Sequence, residues 1–363
     1  PKTHKEIVFY SEHAGYYSYL EGVITTLTKK YRSPLCYITS DPDDPILSTP
    51  DDDIAPFYLK KLLPLFMILV NTKIFIMTLT DLHQFHLRRS INDVHYLYLF
   101  HALVSTHMMY REGALDHYDT IACCGPHHVE EIKKREKQEQ LKPKTLIYGG
   151  YHRLEKIWQE FQAHTQSQQK KTILIAPSWG EHNIIKTCGK KLVQKILNHT
   201  DYHVILRPHP EIRKHMPELL QEYKSLFKDN QKFTLEESVA TNNSMLEADL
   251  LITDLSGIAL EYAFGTQRPV LFIDLPYKIK NPHFKKLGIE PLELSLRSHI
   301  GTIISPDDVN DQVVSSINKL LDNQTHYKEK IMKLREKHVY AFGESSQITA
   351  QYILKKREET PIQ

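Results

Sequence analysis

Arginine, histidine, serine and glycine at the ends of apolar runs are the first residues in this sequence that could do chemistry. The run His203–Leu206 leads into Arg207-Pro-His209-Pro-Glu211. Two prolines fix φ on either side of the histidine and restrict the residues before them. A guanidinium suits bidentate phosphate recognition, and an imidazole can donate a hydrogen bond or a proton. A proline-rich strand exit with a surface histidine would read the same way. Farther on, Leu250–Thr253 runs into Asp254-Leu-Ser256-Gly257, where a helix is expected to start near Ser256. Its first amides, the Ser256 hydroxyl and the close approach allowed by Gly257 would make an anion site for phosphate. Asp254 either caps that helix or orients His209 and its loop. Glu261, on the same helical face, either takes ribose hydroxyls or is solvated. A third segment, Ser178-Trp179-Gly180-Glu-His-Asn, follows the run 172–176 and suits a loop beside a phosphate or base, or an ordinary turn.

In the first half, the run 94–100 ends at His101, followed by Tyr110-Arg111-Glu112. A lone histidine is more often structural than catalytic; His101 stands out because it occupies a strand tip. The run 74–79 leads into Asp81 and His83. Tyr16 and Tyr17, with Tyr19, and Arg88 with Arg89, could line a groove for a glycan or phosphopolymer, or pack on the surface. With 21 histidines a metal is the obvious rival. The pairs His83/His86 and His127/His128 lack the i, i+4 spacing with a nearby acid that helical zinc sites use. No metal and no cofactor are expected.

The elements that must position these residues alternate. Strands are expected at 6–10, 35–39, 74–79, 94–100, 119–123 and 146–148, and again at 172–176, 203–206, 250–253 and 269–273, with helix-length segments between. Such alternation argues for parallel sheets of β-α-β units, and ligands in open α/β sheets sit at the carboxyl ends of the strands. The charged stretch 130–144 reads as a helix with a solvated face. The polar run 166–171 is the expected linker. The chain of 363 residues is about right for two domains. A first, acceptor-binding domain is expected over 1–165, a second, nucleotide-donor-binding domain over 172–335, and a final helix over 336–363 packing back on the first. The fold class is α/β: two Rossmann-like domains with a central cleft.

Lys+Arg 46 against Asp+Glu 44 leaves a formal +2, so no strong global field draws the chain to nucleic acid. Cysteines 36, 123, 124 and 188 form no C-x-x-C pair and read as buried thiols of a cytosolic protein. The apolar stretch 62–70 is too short for the ~20 residues of a membrane span. It reads as a core helix, with Lys60 and Lys61 keeping a membrane-surface helix open. The chain begins at Pro and not at Met, so its lack of a signal or anchor carries little weight.

The motifs Arg207-Pro-His209-Pro, Ile252-Thr-Asp254-Leu-Ser256 with Glu261-Tyr-Ala, and Arg268-Pro-Val-Leu-Phe resemble the C-terminal half of the CDP-glycerol glycerophosphotransferase family. The likeness is good over about 170–275 and thinner over 1–150. There, Phe100-His101-Ala102-Leu103 is similar to that family's Trp-His-Gly-Thr segment without its Gly and Thr, and Gly257 replaces a second serine. The resemblance implies a GT-B fold and transfer of a polyol phosphate from a CDP-activated donor to a glycan or lipid-linked hydroxyl, releasing CMP. His101 would be the base and His209 its catalytic counterpart. Arg207, Ser178, Trp179, Gly180, Asp254, Ser256, Gly257 and Glu261 would bind donor; Tyr16, Tyr17, Asp81, His83, Arg88 and Arg111 would bind acceptor. A cytoplasmic site on the inner membrane face, with 57–70 against the lipid, follows if the acceptor is lipid-linked. The same motifs allow a GT-B glycosyltransferase using a nucleotide sugar, or a non-catalytic nucleotide-binding protein.

Overall fold

Apolar runs that are buried on both faces pair in parallel, and this chain has two series of them. The computed structural model describes residues 5–49, 51–85, 87–165, 170–236 and 241–359. His86, linker residues 166–169 and residues 360–363 of the expected terminal helix lie outside these. The first series is β1 (Ile7–Ser11), β2 (Leu35–Thr39), β3 (Ile54–Tyr58), β4 (Ile74–Met77), β5 (His95–Leu99), β6 (Thr120–Cys123) and β7 (Thr145–Tyr148). They form one parallel sheet in the order β3-β2-β1-β4-β5-β6-β7. The second series is β8 (Thr172–Ile175), β9 (His203–Leu206), β10 (Phe233–Leu235), β11 (Leu250–Thr253), β12 (Val270–Ile273) and β13 (Gly301–Ile304). Their order is β10-β9-β8-β11-β12-β13, again parallel throughout.

Each sheet reverses its strand order once, between β1 and β4 in the first and between β8 and β11 in the second. Crevices for ligands open at the carboxyl ends of strands flanking such a switch point. The segments after β8 and β11 are the expected donor segments, and the loop after β1 carries Tyr16.

The chain forms two units. One takes residues up to Arg153, then Lys280–Ile289, and then the segment from His338 onward; the other takes Leu154–Ile279 and Glu290–Lys337. The division falls earlier than the expected break at 165–172. The reason is the helix His152–Ala163, which buries Leu154 and Ile157 beside Gly265 and lays Trp158 and Phe161 against Arg335 and Arg268. In the first unit the helix Ser345–Glu359 adds Ala350 and Ile353 to the core of Ile7, Phe9, Ile76 and Leu97.

Two expectations are corrected. The stretch 54–70 is an edge strand, β3, followed by the short helix Leu63–Leu69, of which only Leu63 and Met67 are buried. Phe57, Tyr58, Leu62, Leu65 and Leu69 are exposed, so a core helix describes it poorly. The charged helix, Pro126–Gln138, is not wholly solvated: Glu131 and Glu136 are buried. Glu131 accepts hydrogen bonds of 2.6 Å from both the amide and the hydroxyl of Thr106. The four cysteines are buried thiols. Among the described residues no helix is long and apolar enough to cross a membrane.

Candidate active site

In the first unit, His101 follows β5 by two residues and stands among aromatic rings. Tyr16 and Tyr19 meet it edge-on, with centroids at 5.6 and 6.1 Å, and Tyr110 lies nearly parallel at 5.9 Å. Tyr98 Oη, buried beneath, is 3.5 Å from His101 Nδ1 and donates to Tyr110 Oη at 3.3 Å. Burial pushes the His101 imidazole down to about 4, helped by the positive charge of Lys280 and opposed by a hydrogen bond to the Thr78 backbone. The ring is therefore neutral at ordinary pH. With one nitrogen hydrogen-bonded to the β4 exit at Thr78, the other keeps its lone pair for a proton.

The remaining expected acceptor residues have other surroundings. Tyr17 points into the core and meets Tyr37 at 5.8 Å, so its place beside His101 is taken by Tyr19; helical direction sends neighbouring side chains to different faces. Arg88 donates to the His83 carbonyl at 2.9 Å, His83 Nδ1 accepts from the Arg89 amide at 3.0 Å, and Arg111 lies over Phe85 at 5.2 Å. These residues hold the turn after β4 together. Asp81, also there, sits at φ +66° and accepts from the Thr80 hydroxyl at 2.7 Å.

In the second unit, Asp254 does not cap the helix Ile258–Thr266, which begins after Gly257 with no side-chain cap. Its carboxylate reaches across the switch point: Oδ1 accepts from the Ser178 amide at 2.7 Å and Oδ2 from the Ile184 amide at 3.3 Å. Burial raises its pKa and these hydrogen bonds lower it, with burial dominant. Asp254 thus fixes the loop after β8, which Asn183 closes by donating from Nδ2 to the Gly180 carbonyl at 2.9 Å. Gly180 has φ +128°, a backbone conformation that a side chain would strain. Trp179, at the tip, is 38% exposed, with Lys278 Nζ 2.8 Å from its ring centroid and the His209 ring at 6.0 Å.

His209 caps the short helix Pro210–His215. Its Nδ1 accepts from the Glu211 amide at 3.2 Å, which leaves the proton of the neutral ring on Nε2. Burial, with the Lys278 charge, pushes it down to about 4. His209 is therefore a neutral hydrogen-bond donor. Arg207, expected to bind phosphate directly, is engaged within the fold. It is 6% exposed, and its guanidinium donates to Ser244 Oγ at 3.0 Å and the Thr241 carbonyl at 3.1 Å. It organises the backbone before the helix Asn243–Glu247. Ser256 and Gly257 are half-buried at the start of the helix Ile258–Thr266, and Glu261 is buried, not solvated.

A family model described as CDP-Glycerol:Poly(glycerophosphate) glycerophosphotransferase matches residues 140–355, which include every second-unit residue above. The chain belongs to this family. The teichoic acid ribitol-phosphate primase of Bacillus spizizenii is 30% identical over 155 residues, covering 40% of this glycerophosphotransferase-family chain and 38% of the primase's length. In fold the chain is similar to the wall teichoic acid polymerase TagF, in a structure soaked with CDPG, at TM-score 0.65 and 16% identity, covering 98% of this chain and 89% of that one. It is also similar to UDP-GlcNAc 2-epimerase from Neisseria meningitidis, bound to UDP-GlcNAc, at TM-score 0.61 and 13% identity, covering 96% and 99%. The family and the GT-B fold are those expected from the sequence.

Sequence reasoning passed over Lys278 and Lys280 in this family member. Both follow β12, so the strand-end rule that selected His101 and His209 reaches Tyr277-Lys-Ile-Lys280 as well. Tyr98 carried no such signal, because it lies inside a strand.

Proposed function

We propose that the chain transfers a glycerol phosphate, or a related polyol phosphate, from a CDP-activated donor to a hydroxyl acceptor of a cell-surface polymer. The acceptor oxygen attacks the phosphorus that bears the polyol; the new P–O bond forms as the P–O bond to CMP breaks, and CMP leaves. The acceptor proton passes to His101, whose imidazole is neutral at ordinary pH and so can take it. On the donor, the amides at Gly257 and the Ser256 hydroxyl hold the pyrophosphate, and His209 Nε2–H bonds the charge that develops on departing CMP. Trp179 and Lys278 flank that group, and Glu261 takes the ribose hydroxyls. Asp254 and Arg207 act through the loops they hold.

The observation that carries this reading is the family match, joined to the Asp254 bridge that fixes the β8 loop beside the Ser256–Gly257 helix start. The ribitol-phosphate primase and the glycerophosphotransferase family suggest the alternative polyols, ribitol and glycerol. CDP-glycerol, CDP-ribitol and UDP-sugars incubated with a short poly(glycerophosphate) acceptor test it. CMP release with acceptor growth is expected; UDP release without CMP would replace the reading with a glycosyltransferase.

A lipid-linked acceptor would bring the enzyme to the inner face of the membrane. Exposed Phe57, Leu62, Leu65 and Leu69 beside exposed Lys60 and Lys61 support this, since apolar side chains rimmed by cations suit an anionic interface. Flotation with vesicles of anionic phospholipid should carry the protein upward. Protein remaining wholly at the bottom would contradict it.

A further inference from the structure

Proton transfer needs the base held to within a fraction of an ångström, and a misplacement of about 1 Å can cost ~10²-fold in rate. The turn carrying His101 lies outside the regular hydrogen bonding of β5, so the groups that fix it must come from elsewhere. They come from the first turn of the helix Pro126–Gln138. His127 Nε2 is 2.9 Å from the Leu103 carbonyl, and His128 Nε2 is 3.0 Å from the Val104 carbonyl. The other nitrogen of His128, Nδ1, accepts from the Cys124 amide at 3.3 Å. Its ring lies flat on Phe100, with centroids 3.7 Å apart and planes 14° apart.

We infer that His128 is a positioning residue for His101, holding the segment 100–104 on both sides of the base. The inference rests on the reading of His101 as the base. One imidazole grips the residue before His101 by its face and a carbonyl three residues after it by an N–H. Accepting from Cys124 at Nδ1 fixes the proton on Nε2, where the Val104 carbonyl needs it. Full burial keeps the ring in that neutral form, and its pKa is pushed down to about 3. A second proton would sit on Nδ1, facing the Cys124 N–H, and break the arrangement. His127, with ring centroid 3.9 Å from that of His128, braces the Leu103 carbonyl beside it. His128 touches neither acceptor nor donor in this scheme; it acts through the backbone of the His101 turn.

The test compares the parent with His101→Ala, His128→Gln, His128→Leu and His128→Phe. The readouts are CMP release from CDP-glycerol with a short poly(glycerophosphate) acceptor and CDP-glycerol binding by calorimetry. Gln replaces the Nε2–H donor, Phe keeps only the stack on Phe100, and Leu keeps neither. Leu and Phe should lower kcat by about 10–10²-fold while donor Kd and donor KM stay within about twofold. Gln should keep kcat within about threefold of the parent. Turnover within about threefold in Leu or Phe would overturn the inference, as would a loss in Gln as large as in Leu. If one apolar variant does not fold, the other provides the comparison; if neither folds, a loss in Gln of about tenfold or more overturns it. Parental turnover in His101→Ala would instead remove the base reading itself. Loss there with none in the His128 variants would leave that reading standing and the inference refuted.

Discussion

His101 and His209 are both neutral imidazoles made so by burial, yet their hydrogen bonds fit them to opposite tasks. His209 takes the Glu211 amide on Nδ1 and offers an N–H; His101 is held at the Thr78 backbone and offers a lone pair. Replacing His101 by Ala should lower kcat by roughly 10²–10⁴-fold and leave CDP-glycerol binding unchanged, read by CMP release and calorimetry. Turnover near the parent's would remove the assignment. The pH dependence follows from the same ring: the acid limb of kcat/KM should fall near pH 4, well below the ~6.5 of an ordinary imidazole. A limb near the ordinary value would mean that the base is another group. At this scale the sequence was partly legible. The position of His101 after an aromatic run singled it out, and the fold sets the Tyr16 ring beside it. The surroundings of Tyr17 and Arg207 were not legible, because their partners, Tyr37, Ser244 and Thr241, are remote in sequence and only the fold brings them together.

The strands that hold the site were readable because both faces of a parallel sheet are buried, which writes continuous apolar runs such as Val270–Ile273. β3, β10 and β13 were not read, whereas β7, also an edge strand, was found from the run 146–148. Each lies at the edge of a sheet and keeps partly exposed residues, and β3 contains a proline, which a sheet tolerates at its edge. The functional loops depend on long-range ties that no local pattern shows. Asp254 and the Ser178 amide are 76 residues apart. Replacing Asp254 by Ala leaves the Ser178 and Ile184 amides without their acceptor, at a cost of about 1–3 kcal/mol for a buried one. The melting temperature should drop, and the KM for CDP-glycerol should rise because the Trp179–Gly180 loop is released. Unchanged donor KM with lowered stability would make Asp254 structural alone.

For the whole molecule, the two units do not follow a simple cut at the polar linker, since the chain contributes Lys280–Ile289 and its C-terminal segment to the first unit. Such returns have no local signature, which is why the expected boundaries missed Lys280–Ile289. The surplus of histidines gains a partial account. His127 and His128 are structural donors to backbone carbonyls, and His101, His127, His128 and His209 are all kept neutral by burial. Their folded pKa values lie below those of the unfolded chain, so as pH falls the unfolded state takes up protons first. Stability should be fully present above about pH 6.5 and decline toward about pH 4. Thermal melting across that range checks this, and a flat profile would contradict it. Polyol-phosphate transfer from a CDP-activated donor is read most directly by weighing the acceptor. A short poly(glycerophosphate) incubated with enzyme and CDP-glycerol or CDP-ribitol is followed by mass spectrometry while CMP is quantified. Acceptor mass should rise by whole polyol-phosphate units, with one CMP released per unit. CMP without acceptor growth, or an unchanged acceptor with both donors, would contradict it.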